Sequence, residues 1–595
     1  MTYPDLILLH APSVYDFRRE SILYGPVSDL VPSTPVFEMY PIGFTTIAEY
    51  LERFGLHTRI INLAVHMLGD FHFDVEKFLK QLDAAAFGID LHWLPHAHGA
   101  IEVARMVKKL HPGRPVIFGG FSATYFHQEL VRYPAVDFVL RGDSTEAPML
   151  ALLEYIRSGG TAHPSLVSPG GQLLAQIPNL VWKDSDQAVH ANPLTYCPEN
   201  LDHILLDYTH VLRAVVRYRD LVSVKPFHNW MNYPITAALT VRGCQNSCLT
   251  CGGSGWSYRT LYGRQRPAFR SPQKLAADIR RIGEYSRGPV FVLGDIRQAG
   301  DEYADQFLDA ISGYSKPVLI ELFDAAPREF FKKLARSLPN WTLEISMESH
   351  DESVRSEFGR PYTNPQIEQT MEDALDCGCQ RLDLFFMVGL KGQTYQSVME
   401  SVDYSRKILK RFSPGGEKRV FPFISPLAPF LDPGSRAFEQ PEKHGYRLFA
   451  HTLEEHRQLL LAPSWKYVLN YETSWLDRNG IVDASYEAGR RMNLLKGEFG
   501  IISKRAAEDT DRRISGARSL IYEIDQIMAG SSGKERQKQL QTLKQKVDNS
   551  NLSTICDKSE LEIPLDGVGI SFVRAGLLIL KDWWRSLKSR PETGD

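Results

Sequence analysis

The sequence predicts an α/β protein: two successive parallel βα series followed by a helical carboxy-terminal region. Three observations predict it. Short apolar runs of strand length alternate with segments of helical period over about the first 150 residues. A second alternation of the same kind begins near Pro234. Beyond residue 430 the spacing is largely helical. Repeated βα units imply parallel sheets with helices on their faces.

In the first series, residues 6–9, 57–62, 86–89, 116–118 and 138–140 read as strands. Residues 43–54 have helical spacing through Phe44, Ile47, Ala48 and Leu51. Residues 97–110 repeat it through Ala100, Val103, Ala104 and Val107. A doubly wound sheet binds ligands at the carboxyl ends of its strands. There this half keeps Ser13, Gly43, Gly119, Gly120, Ser122, Thr124 and Gly142.

The pattern breaks over 157–232, which reads as a connector with a hairpin turn at Pro169-Gly-Gly171 and a short strand at 179–182. In the second series, strands are expected at 235–241, 290–293, 318–322, 341–347, 381–388 and 419–424. Ser271-Pro272 and Asn364-Pro365 open helices with a capping side chain and a proline in the first turn. Six βα units make a partial (β/α)6 barrel, with its site again at the strand carboxyl ends. The domains are therefore 1–156, a connector 157–232, a barrel 233–430 and a mostly helical region 431–595. In the last, Ser531-Ser-Gly533 is a linker and residues 534–546 a charged solvated helix. The stretch 572–584 is apolar and aromatic. It offers contact with a membrane surface or a lipid substrate, and a helix packed on the barrel is its plainer reading.

Composition narrows the function. A chain of 595 residues is too long for one core and makes three or four domains. The net charge of −3 argues against a nucleic-acid partner. Residues 1–5 show no basic leader, and the longest apolar run, 568–580, is interrupted by Arg574. A cytoplasmic protein is expected. Seven cysteines in this length are no disulfide scaffold, and three of them cluster.

Those three form Cys244-Gln-Asn-Ser-Cys248-Leu-Thr-Cys251, directly after an expected strand. Three thiolates within eight residues can hold three corners of a cubane and leave the fourth iron open, which a substrate-binding cluster needs. Zinc and unliganded structural cysteines are the rival readings. Structural zinc prefers paired Cys-x-x-Cys units and four protein ligands, and no second pair is present. Cys377-Gly-Cys379 reads as two small buried residues around a helix-ending glycine. Cys197 and Cys556 are isolated. Arg360-Pro-Tyr362 faces either the cavity or a surface ion pair.

The cysteine spacing after a first barrel strand resembles the radical S-adenosylmethionine (SAM) superfamily. The resemblance implies a 4Fe-4S cluster on Cys244, Cys248 and Cys251, whose open iron binds SAM. It implies further SAM contacts: Gly294-Asp295 for the methionine amine, Ser346 and Glu348 for the ribose, and Gly389 in Val388-Gly-Leu-Lys-Gly-Gln-Thr394 near adenine. The residue before the third cysteine is usually aromatic in that family. Here it is Thr250, so another side chain must take its place. Gly252-Gly-Ser254 offers a close backbone approach to the cofactor.

The first half is similar to the Rossmann-like cobalamin-binding domain of the cobalamin-dependent members. Its stretches are Tyr40–Thr45, Phe87–His92, Ile117–Thr124 and Val136–Asp143, with Glu146. The resemblance assigns cobalamin contacts to Ser13, Gly43, Thr45, Leu91, His92, Gly119, Gly120, Ser122, Thr124, Gly142 and Asp143. The Asp-x-His-x-x-Gly signature of the lower cobalt ligand is absent. His92, His96 and His98 lie near that face as a cobalt ligand, as ordinary loop residues, or as a zinc set without an obvious fourth member.

What the resemblance implies is a methyltransferase. A methyl passes from SAM to cobalt, a second SAM yields the deoxyadenosyl radical, and the substrate radical takes the methyl from methylcobalamin to an unactivated carbon. The competing readings are a rearranging, cyclising or oxidising enzyme without methyl transfer, and a non-catalytic cobalamin sensor. Expected partners are a small-molecule substrate and an electron donor such as flavodoxin or ferredoxin.

Overall fold

The computed structural model describes residues 3–20, 36–426, 430–547, 560, 562–563 and 569–588. Its first sheet contains β1 (Leu6–His10), β2 (Thr58–Asn62), β3 (Ala86–Asp90), β4 (Val116–Gly119), β5 (Phe138–Leu140), β6 (Leu180–Lys183) and β7 (Val189–Ala191). The order is β2-β1-β3-β4-β5-β6-β7. The first five strands are parallel, and β6 and β7 join antiparallel. Strand β1 is buried along its whole length, as a strand covered by helices on both faces must be. Side chains alternate across it: Ile7 and Leu9 pack with Ala100, Val103 and Val107, while Leu6 and Leu8 pack with Phe44, Ile47 and Leu51.

Two expectations for 157–232 need correcting. Pro169-Gly-Gly171 is no hairpin turn. It is the first turn of a helix, Pro169–Gln176, because Ser168 accepts from the Gly171 amide and proline suits the first helical position. The expected strand is β6, and with β7 it extends the first sheet to Ala191, so this part of the segment is more than a connector.

The second series gives β8 (Thr236–Ala238), β9 (Val241–Arg242), β10 (Ala268–Phe269), β11 (Val290–Val292), β12 (Val318–Leu322), β13 (Trp341–Glu348), β14 (Leu382–Val388) and β15 (Val420–Pro426). Six of them form an all-parallel sheet, β15-β14-β13-β12-β11-β8. The expected strand 235–241 is interrupted, and β9 turns away to pair with β10. Ser271 caps the helix Pro272–Tyr285 by position only, without a side-chain bond. The second expected cap is Thr363 rather than Asn364, in a reciprocal box with Gln366.

The remainder is mostly helical, with a small antiparallel pair, β16 (Tyr446–Leu448) and β17 (Tyr471–Thr473). Helix Arg478–Glu498 packs against β15, the outermost barrel strand. Helix Phe572–Lys588 buries Ala575 and Leu578 against Tyr285 and leaves Phe572, Val573, Leu577 and Leu580 exposed. Among the described residues no helix is long and apolar enough to cross a membrane.

Buried ion pairs join the two sheets. Arg242 reaches Glu146 at 2.6 Å, Ser144 at 3.0 Å and Thr46 at 3.1 Å. Arg264 pairs with Asp143. These contacts set the carboxyl edge of the first sheet beside the mouth of the second.

Candidate active site between two sheet edges

The cysteine loop leaves β9 and is held at many points. The Leu249 amide donates to the Phe358 carbonyl at 2.8 Å, and Arg436 donates to the Ser247 carbonyl at 2.6 Å. The Gln298 amide approaches Cys244 Sγ at 3.5 Å. Cys248 is buried, and Cys244 and Cys251 are half-buried. Burial pushes the Cys248 thiol up to about 11, and burial with the other two thiols pushes Cys251 up as well. Two buried thiols that resist ionising, crowded with a third, are a costly arrangement in a bare protein and a suitable one for a cationic iron centre. Val354, Phe358, Leu390 and Met387 form an apolar wall against Cys248 and Cys251, covering the side that Thr250, itself buried, does not.

Gly252 packs closely on Asp432. A Cβ there would sit 2.9 Å from Asp432 Cβ, and its amide donates to Asp432 Oδ2 at 3.0 Å. Ser254 caps the helix Gly255–Leu261.

The carboxyl ends of β11 to β14 carry the expected SAM contacts. Gly294 has a left-handed φ of +78°, and its amide donates to Glu321 Oε2 at 2.9 Å. Asp295 is committed elsewhere: it caps Arg297 N and forms a two-point pair with the Arg297 guanidinium. Glu321, which the sequence did not single out, is the less committed carboxylate, and burial lifts it to about 7. Glu348 follows a bulge in β13 and has a φ of +63°, a strained backbone for a side-chain-bearing residue. Its Oε2 is buried without a hydrogen-bond partner, and so is Arg360 Nε, while Arg360 Nη2 lies 3.8 Å from Glu348 Oε1. Arg360 is therefore buried rather than in a surface ion pair, anchored on the Phe323 carbonyl at 2.9 Å. Unpaired buried polar atoms are costly unless a ligand meets them, so this edge fits a zwitterionic, hydroxyl-rich molecule such as SAM. The Ser346 carbonyl accepts from Tyr362 Oη at 3.2 Å. Gly389 is required by close approach: a Cβ would lie 2.5 Å from Tyr471 Oη.

The first sheet's edge is different. Gly43 and Gly119 leave bare backbone, with nothing closer than 3.7 Å to an added Cβ at either. Ser13 Oγ is buried and unpartnered, as an edge that receives a large polar ligand would leave it. Gly120 is packed tightly under His92, with 2.3 Å between its notional Cβ and His92 Cα. Ser122 is buried at this edge, and Thr124 Oγ1 ties Gly120 O to the Gly142 amide. Three expected contacts are used otherwise. Thr45 Oγ1 bonds to its own helix at Ile42 O. Leu91 lies in the core. Asp143 holds Arg264 across the domain boundary. Of the loop histidines, His92 and His96 come together and His98 does not; its Nδ1 accepts from the Tyr15 amide at 3.3 Å.

The two edges share a cavity of about 230 Å³ lined by His92, Trp93, Phe121 and Ser122 from one side and Gly252, Gly253, Tyr262, Asp432 and Pro433 from the other. Asp432 bridges it, accepting from Trp93 Nε1 at 2.8 Å and from the Gly252 amide one residue beyond Cys251. Cys377 and Cys379 lie away from it. Cys377 ends a helix and Cys379 is buried against the Arg381 carbonyl. Cys197 is half-buried and outside it, and Cys556 lies outside the described residues.

Residues 30–152 match the B12 binding domain and residues 239–405 the radical SAM superfamily. The chain therefore joins a B12-binding domain to a radical SAM domain, and cobalamin, SAM and a 4Fe-4S cluster are the cofactors of that pair. It is homologous to cobalamin-dependent radical SAM methyltransferases. Hopanoid C-3 methylase of Methylococcus capsulatus is 26% identical over 282 residues, 47% of each chain, so the match spans about half the length of that relative. Cytidylyl-2-hydroxyethylphosphonate methyltransferase of Streptomyces wedmorensis is 20% identical over 442 residues, 66% of this chain and 78% of that one. The structure of the radical SAM methyltransferase TsrM from Kitasatospora setae, with cobalamin and a [4Fe-4S] cluster bound, shares the fold at 13% identity and a TM-score of 0.55, covering 87% of this chain and 99% of that one.

Proposed function

We propose that this chain is a cobalamin-dependent radical SAM methyltransferase acting on an unactivated carbon of a small molecule. The observation that carries the reading is the shared cavity, in which one carboxylate, Asp432, links the cobalamin-side loop to the cysteine loop. A reaction using both cofactors needs them to face one space. The names of the two curated relatives, a methylase and a methyltransferase, favour methyl transfer over rearrangement or oxidation.

When bound, the corrin supplies the methyl group and cluster-bound SAM supplies the radical. The chain's own residues do the placing. Cys244, Cys248 and Cys251 hold the cluster with an open position. Glu321 and Glu348 receive the amine and hydroxyls of SAM, Arg360 balances their charge, and Gly294 and Gly389 give backbone approach. The glycine-rich first edge carries the corrin at Gly43, Gly119, Ser122 and Gly142. The apolar wall of Val354, Phe358 and Leu390 keeps water from the radical. An electron donor of the flavodoxin or ferredoxin type and a cytoplasmic setting belong to the same reading.

The test is anaerobic reconstitution with iron, sulfide and cobalamin, followed by assay of SAM-derived products. Bound cobalt together with both 5′-deoxyadenosine and S-adenosylhomocysteine is expected. Deoxyadenosine without S-adenosylhomocysteine would replace methyl transfer by another radical reaction. Neither product would leave a non-catalytic cobalamin protein.

A further inference from the structure

We propose that His10, His92 and His96, oriented by Asp90, bind a divalent transition-metal ion at the carboxyl edge of the first sheet, separate from the iron–sulfur cluster and from cobalamin. The residues come from the ends of β1 and β3 and the turn after β3, and one ligand atom from each of the four lies within 4.8 Å of all the others. His10 and His96 are fully buried, and Asp90 nearly so.

Hydrogen bonding fixes which atoms are offered. Asp90 takes His10 Nδ1 at 3.0 Å and His92 Nδ1 at 2.6 Å. A carboxylate only accepts, so both Nδ1 atoms carry protons, and His10 Nε2 lies 3.3 Å from the Phe37 carbonyl, a weak contact that a metal ion would replace. His96 Nδ1 lies 3.1 Å from the Ala11 carbonyl, which makes it the donor too. His96 Nε2 then carries a lone pair in a fully buried position and has no hydrogen-bond partner. An imidazole lone pair without a donor needs an electrophile.

The rings are close enough to share one. Their centroids are 4.6 Å apart for His10 and His96, 5.0 Å for His92 and His96, and 6.1 Å for His10 and His92. A zinc–imidazole bond is about 2.0–2.1 Å, so an ion shared by the three rings would draw them together by side-chain rotation. A carboxylate on the far nitrogen of a ligating histidine is the usual orienting partner. Three imidazoles favour zinc or ferrous iron over magnesium or calcium. The ion would pin the tips of two strands that carry the floor of the cavity.

The test is a titration of the full-length chain, with its cluster and without cobalamin, after dialysis against a weak chelator. Cobalt(II) is the probe, read by its visible absorption and displaced by zinc. About one equivalent per chain is expected, with imidazole scattering in the X-ray absorption spectrum of the zinc form. His96→Ala and His10→Ala should abolish it, and Asp90→Asn should weaken it about 10–100-fold. His98→Ala, outside the set, should bind like the parent. Circular dichroism checks that each variant is folded, and the absorption spectrum of the parent stands without any variant. The proposal fails if the parent takes up no ion, or if folded His96→Ala binds it equally well. It also fails if the cobalamin-loaded chain shows nitrogen splitting of the cob(II)alamin signal that His92→Ala removes, because the imidazole would then serve the corrin.

Discussion

At the mouth of the second sheet the chemistry is soft and charged: three thiols within eight residues, the carboxylates Glu321 and Glu348, and Arg360 among them. At the facing edge of the first sheet it is barer: glycine backbone, small hydroxyls, and imidazoles gathered round Asp90. The same kind of parallel sheet thus carries two kinds of site. What differs is the residue that ends each strand, which is where function resides in such folds. On the proposed reading one edge holds a charged cluster and a zwitterion, and the other lets a broad ring rest on backbone.

Variants that strip one edge alone test that division. Cys248→Ala should abolish cluster iron and SAM cleavage, a loss of at least about a thousandfold, by removing one of the three ligands of the open cluster. Cobalamin binding should survive, read by cobalt analysis. Loss of both cofactors would show that the edges are not independent.

Parting the edges should cost stability. Arg242→Met leaves Glu146, 1% exposed at its side chain, buried without its cation. A cost of about 3–5 kcal/mol in denaturant unfolding is expected. Burial opposes ionisation of Glu146, but Arg242 prevails and holds it at about 2. The pair's contribution is therefore present above the ordinary carboxylate range and is lost as pH falls toward 2. The variant should lack this acid-side dependence.

Gly389→Ala should destabilise by about 2–3 kcal/mol, from a left-handed φ of +100° and the clash with Tyr471. SAM should protect the parent from unfolding more than it protects the variant.

The carboxylate edge should respond to pH near 7. Burial raises Glu321 to about 7, so without ligand it is neutral below that pH and ionised above it. An ammonium group pairs with the ionised form. SAM binding should tighten several-fold as pH rises through 7, and Glu321→Gln should flatten the profile. In the unliganded chain the same raised value makes folding less favourable as pH rises from the ordinary carboxylate range to 7.

The smallest effect concerns the bridge. Trp93→Phe removes one hydrogen bond to Asp432 and should cost about 1 kcal/mol.

Much of this was legible in the sequence because its signals are local. Strand-length apolar runs placed the parallel strands of both sheets, and the three cysteines lie within one loop. Paired or composite features were less legible. His10 and Asp90 are 80 residues apart and meet only because β1 and β3 are neighbours. Glu321 was overlooked because a lone glutamate at a strand end has no pattern; only the Gly294 amide and its burial single it out. Asp143 and Glu146 sat in a stretch resembling a cofactor edge, yet their arginine partners lie about 100 or more residues on, in the other domain. The proline and glycines at 169–171 suggested a turn, but Ser168 one position earlier makes them a helix start.

The central claim is that the two edges face one reaction space. It is tested most directly by electron paramagnetic resonance on the chain loaded with cob(II)alamin and a reduced cluster, both paramagnetic. The account predicts a spin–spin splitting or broadening of the cob(II)alamin signal that appears when the cluster is reduced and vanishes in Cys248→Ala. Two independent, unperturbed signals in a chain carrying both cofactors would contradict it.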